Sequence, residues 1–189
     1  GPVSDVYTVD WPAEDFRGRI KPGHEPHLRL HALTACDEVA LASGEPPPNK
    51  PGNPPALRKL IQSRLGEDMS SQFVTVLEPY DQKPFVRQVE RLPVSHEAAE
   101  DSVAAVAVRL ADGTTDILIS CQQPTSVMVD DRIEFNGKFA LLRLHGNTAG
   151  LVRLSNAEYF RFGDVELQLD QTAYTGTVVG IDRTDPEDN

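Results

Sequence analysis

The chain has 189 residues, 39% of them hydrophobic and 6% aromatic, and carries a net charge of −11. That length fits one β domain, and no apolar run approaches the roughly 20 residues of a membrane-spanning helix, so a membrane partner is not expected. The acidic balance argues against nucleic acid, whose backbone is bound through clustered Lys and Arg, and against tight capture of highly sulfated glycans. Cys36 and Cys121 are too few for a disulfide framework and lack a C-x-x-C spacing. They read as two buried or half-buried thiols, or as one long-range pair if the chain matures in an oxidising compartment.

Gly1-Pro2 has the form of a scar left by a cleaved tag, residues 3–183 read as a single β domain without an internal composition shift, and 184–189 form an acidic, solvated tail. Residues 6–10, 16–21 and 27–33 are short strand patterns, broken by Trp11-Pro12 and by Lys21-Pro22-Gly23, and 37–42 follow. In His27-Leu28-Arg29-Leu30-His31-Ala32-Leu33 polar and apolar residues alternate, which predicts one wet and one buried face. Next comes Glu45-Pro46-Pro47-Pro48-Asn49-Lys50-Pro51-Gly52-Asn53-Pro54-Pro55, an arm that cannot be a central strand and should cross the surface extended. Asn53 as N-cap, prolines in the first turn, Gly66 as the stop, and Leu57, Leu60, Ile61 and Leu65 at helical spacing predict one short α-helix over 54–65, covering a sheet edge or face.

From residue 72 onward every signal is β: 73–77, 85–92, 103–110, 117–121 and a string of short strands to 183. Asp112-Gly113 and Asn136-Gly137 predict two tight hairpins. The expected fold class is therefore all-β: an antiparallel β-sandwich, or stacked sheets, with one covering helix.

The chain resembles the C-terminal β-sandwich region of heparinase II/III-like polysaccharide lyases. The resemblance rests on Leu28-Arg29-Leu30, on Glu45-Pro46-Pro47 with Asn49-Lys50-Pro51-Gly52-Asn53-Pro54, on Leu57-Arg58-Lys59-Leu60-Ile61 with Arg64, and on Ser71-Gln72-Phe73-Val74-Thr75-Val76-Leu77-Glu78-Pro79-Tyr80. It extends more loosely to Tyr174-Thr175-Gly176. Such lyases place β-sheet domains after an α/α-toroid and cleave uronic-acid polysaccharides by β-elimination. The resemblance implies a fragment that follows the toroid, with the upstream catalytic domain of the same polypeptide as its partner, in a periplasmic or extracellular protein. The family's proton-abstracting Tyr and His, its carboxylate-neutralising Asn or Arg, and its His and Asp metal-ligand segment are unmatched here, so no catalytic residue and no cofactor are assigned.

A sugar surface needs aromatic rings to lie under a pyranose, flanked by polar groups. Trp11, Tyr7, Tyr159 and Tyr174 are the candidates, with Arg153 and Arg161 able to pair with a uronate carboxylate; packing in the core is the competing use of the rings. His27 and His31 would lie about 13 Å apart on a strand, too far to share one ion, and read as a polar outer face; no metal site is assigned. Asp130-Asp131 with Glu134 reads as a solvated hairpin rim rather than a calcium loop. Tyr80 with Arg87, Arg91 or His96 contains the residue types of an elimination site, but no spacing holds them together. The expected role is a non-catalytic support domain that contacts acidic polysaccharide, with a self-sufficient carbohydrate-binding module and a ligand-free structural domain as alternatives.

Overall fold

Alternation with a period of two governs the chain, and the computed structural model follows it: the protein is nearly all β, in antiparallel sheets with sandwich-like packing. The structure describes residues 1–4, 6–15, 17–46, 54, 56–170 and, for the backbone alone, 176–178. The proline arm from 47 to 53, Tyr174 and the acidic tail lie outside the described residues. Two compact units divide the chain, Gly1–Phe85 and Val86–Asn189.

In the first unit, strands β1 (Tyr7–Pro12), β2 (Pro26–Ala32) and β5 (Thr75–Asp81) form one antiparallel sheet in the order β1-β2-β5, and β3 (Glu38–Gly44) pairs with β4 (Leu57–Ser63) in a separate two-stranded ladder. An isolated bridge between Val3 and Cys36, and a bond from Gln62 Nε2 to the Tyr7 hydroxyl at 2.7 Å, tie the segments together.

Two expectations fail in this unit. The helix over 54–65 is absent, because residues 57–63 run as β4 in continuous register with β3, from Glu38 opposite Ser63 to Gly44 opposite Leu57. A helix of that length is marginal alone, whereas the ladder runs through seven consecutive residue pairs and bonds the backbone of alternate ones to β3. The apolar stripe consequently splits: Leu57 and Ile61 lie on one strand face with Lys59, and Leu60 on the other with Arg58 and Gln62. Likewise, residues 17–21 are not a strand. The Asp15 carboxylate accepts the amides of Arg19 at 2.7 Å and Ile20 at 2.9 Å, and so bends the chain back on itself.

The second unit is an eight-stranded sheet. Its path is β12-β11-β10-β9-β8-β6, built from β6 (Val86–Arg91), β8 (Val103–Leu110), β9 (Thr114–Val129), β10 (Ile133–His145), β11 (Thr148–Phe162) and β12 (Val165–Gln168). The short β7 (Val94–Ser95) adds to β9 and β13 (Gly176–Val178) to β11, and a single 3-10 turn spans Glu100–Ser102.

Asp112-Gly113 makes the β8–β9 turn as predicted, with Gly113 at φ +86°. Asn136-Gly137 does not make a turn. It sits inside β10, and the next reversal falls at Asp130-Asp131, both at positive φ, where Arg132 N donates to Val129 O at 3.1 Å. Gly137 serves a different need: a Cβ there would lie 2.6 Å from Ala157 Cα, so only glycine admits the neighbouring strand.

Register shifts at Gly137, and Asn156 at φ +48° on β11, form a line of bulges across adjacent strands. On β10 the buried residues change from Ile133 and Phe135 to Ala140, Leu142 and Leu144, while on β11 the phase shifts after Val152 and Leu154 to bury Ala157 and shifts back to bury Phe160. Crossing the bulges thus switches which alternate residues face inward. Both halves of the long strands feed one core, which includes Ile117, Ile119, Val129, Phe135, Leu142 and Phe160.

Candidate functional site

Two constellations in Gly1–Phe85 carry chemistry. The first occupies one face of the three-stranded sheet, where the register sets Asp10 opposite Arg29 and Arg29 opposite Glu78, with His27 opposite Tyr80. The Asp10 carboxylate accepts hydrogen bonds from His27 Nδ1 at 2.8 Å, Arg29 Nε at 2.7 Å and the Tyr80 hydroxyl at 2.6 Å. His27 stacks on the Tyr80 ring at 4.9 Å between centroids, and the Arg29 guanidinium lies 5.1 Å over the same ring. One residue pair further along the face, His31 Nε2 meets Glu78 Oε2 at 2.9 Å. Glu78 is fully buried, and its other oxygen accepts the Phe85 amide at 2.6 Å. The polar face predicted to be wet therefore buries His31 and Glu78, because each satisfies the other.

Electrostatics decide what this face can do. Burial raises the Asp10 pKa, but the bonds from Tyr80, His27 and Arg29 outweigh it and hold the carboxyl down at about 2. The hydrogen bond to that carboxylate, with burial, pushes the Tyr80 hydroxyl up from its ordinary value. A tyrosine base in β-elimination must give up its proton, and here the proton is committed to Asp10. The network is a latch across three strands. Among the described residues, no group of three or more His, Cys, Asp or Glu is arranged to hold a metal ion.

The second constellation is a groove of about 480 Å³ at the end of β1. Trp11 and Pro12 form one wall, Leu41 and Ser43 of β3 another, and Arg58 and Lys59 of β4 supply positive charge. Arg58 donates to Ser43 Oγ at 3.3 Å and to Glu14 Oε1 at 3.4 Å, yet its side chain is 59% exposed, so the guanidinium is oriented while open to water. Lys59 reaches back over Gly44, its Nζ 3.5 Å from where a Cβ would stand. An indole, two cations, a hydroxyl and the Glu14 carboxylate that pairs with Arg58 thus line this groove.

The other sequence candidates are dispersed. Tyr7 is half-buried; burial pushes its hydroxyl pKa up, and that hydroxyl accepts from Gln62. Tyr159, Arg153 and Arg161 all lie on β11 in the other unit, Arg153 on the far side of the Asn156 bulge from the other two. Arg161 is paired with Glu134. Cys36 and Cys121 are both free and buried, one in each unit. Arg58 and Lys59 were not among the sequence candidates; the β3–β4 register sets Arg58 opposite Ser43 and Lys59 opposite Ala42.

No family model matches the chain, and no curated protein or solved structure matches it. The all-β fold stands on the strands themselves.

Proposed function

We propose that this chain is a non-catalytic β-sheet module of a heparinase II/III-like polysaccharide lyase, and that its Trp11 groove holds a uronic-acid-bearing glycan. The observation that carries this reading is that Trp11, Arg58 and Lys59 all line one groove. Residues 1–85 hold nine Lys and Arg against twelve Asp and Glu, and residues 86–189 nine against seventeen, so the groove sits in the less acidic unit. Local cations then set a weak, salt-sensitive attraction for carboxylates.

Two further features support the reading. Two of the segments that carry the resemblance pair as β2 and β5, with Arg29 directly opposite Glu78 and Leu28 opposite Pro79. Leu41, Ile61, Leu65 and Leu77 are 66%, 48%, 72% and 57% exposed, which favours a module that rests against the catalytic region upstream in the same polypeptide over a free-standing adhesion domain. A periplasmic or extracellular setting, where such polysaccharides are met, belongs to the same proposal.

Affinity electrophoresis through gels of polygalacturonate, alginate, a sulfated glycan and a neutral glucan tests it. Retardation in the uronate gels, abolished by Trp11→Ala and reduced by Arg58→Gln with Lys59→Gln, is the expected result. Free migration in every uronate gel, or release of unsaturated uronate product by the chain alone, would overturn the reading.

A further inference from the structure

We propose a second carbohydrate site, in Val86–Asn189, which takes neutral sugar and rejects uronate. It stands on observations separate from the Trp11 groove. An open groove of about 610 Å³ crosses β9, β10 and β11, with residues 95–97 after β7 along one side. The register places Ser126 opposite Asn136 and Asn136 opposite Tyr159, so a hydroxyl, an amide and an aromatic ring stand in one row on one face. The Tyr159 ring is half-buried and tethered at its tip, where the hydroxyl meets Glu166 Oε1 at 3.2 Å. His96 lines the same groove, and its Nδ1 is shielded from solvent with no partner among the described residues. A ring next to a hydroxyl and an amide on one sheet face is a place where a sugar can stack while its hydroxyls are hydrogen-bonded.

Charge sets the class of ligand. Glu97 lines the groove, Glu158 accepts from the Asn136 amide at 3.4 Å, and Glu166 holds Tyr159. The nearby cation on the next row, Arg161, is engaged by Glu134, which stands opposite it in the register. The lining residues include no Lys or Arg to meet a uronate carboxylate, whereas sugar hydroxyls can donate to these same carboxylates and to the Asn136 side-chain carbonyl. The two grooves are therefore opposite in sign. One module would hold a charged and an uncharged stretch of a mixed polysaccharide at separate places.

The test is a ¹H–¹⁵N titration of the full chain with cellohexaose, mannohexaose and hexagalacturonate. Saturable shifts at the amides of Ser126, Asn136 and Tyr159 with a neutral hexaose, and none there with hexagalacturonate, are expected. Tyr159→Ala should abolish them; Tyr159→Phe, which keeps the ring, should retain them; Trp11→Ala should leave them unchanged. No shift at these residues with either neutral hexaose, equal shifts with hexagalacturonate, or unaltered binding in Tyr159→Ala would overturn the proposal. Because Trp11 reports the other groove, loss of either site is distinguishable from loss of both.

Discussion

In Val86–Asn189 a continuous apolar core runs through both halves of the long strands, whereas Gly1–Phe85 buries His31, Thr34 and Glu78 beside Ala32, Leu33 and Cys36 and leaves several leucines exposed. The first arrangement is held by area removed from water, which is non-directional and insensitive to pH. The second is held largely by directed bonds across one sheet face, which fail one partner at a time and respond to protonation. Two antiparallel β units in one chain thus have different vulnerabilities.

The largest expected effect sharpens this contrast from the apolar side. Phe160 is fully buried in the core, and Phe160→Ala should destabilise its unit by about 3–5 kcal/mol through lost transfer energy plus the cavity left behind. Amide exchange should localise the loss to residues 86–170. Equal loss of protection in β1, β2 and β5 would break the contrast.

Next in size is Glu78→Ala. It strips His31 of its buried partner and the Phe85 amide of its acceptor, at a cost of about 1–3 kcal/mol. A double-mutant cycle with His31→Ala should return a favourable coupling energy for the pair, and additivity would show that the pairing contributes nothing.

The smallest of the stability effects is a pH dependence. The folded Asp10 carboxyl, at about 2, lies below an unfolded aspartate at roughly 3.9. Its stabilisation is therefore complete above the unfolded value and disappears as pH falls through about 2. Thermal melts of the first unit should drop across that window, and Asp10→Asn should flatten the drop. An unchanged acid profile in the variant would remove Asp10 from the latch.

Parts of this were legible in the sequence for clear reasons. Period-two alternation marks strands because it encodes which side faces water, and Asp112-Gly113 marks a turn because Gly113 needs positive φ. Asn136-Gly137 offers the same dipeptide, but its glycine answers the close approach of Ala157, a neighbour that no local pattern identifies. The stripe Leu57, Leu60 and Ile61 suits a helix equally well, and only the long-range ladder to β3 decides for a strand. That misreading also hid Arg58 and Lys59, which become groove residues once β4 lies beside β3. Trp11 was identifiable as one of four candidate rings, while its cationic neighbours required the register. The alternation of His27, Arg29 and His31 was visible too. Its carboxylate partners, Asp10 and Glu78, come from strands distant in sequence, so the face appeared wet when part of it is buried.

Trp11 is the chain's single tryptophan, so intrinsic fluorescence reports its groove without a label. The most direct measurement is a fluorescence titration with oligogalacturonate at low and high salt. A saturable change that weakens as salt rises, and is reduced by Arg58→Gln with Lys59→Gln, is the result the account predicts. No change with uronate oligomers, or the same change with neutral ones regardless of salt, would contradict it.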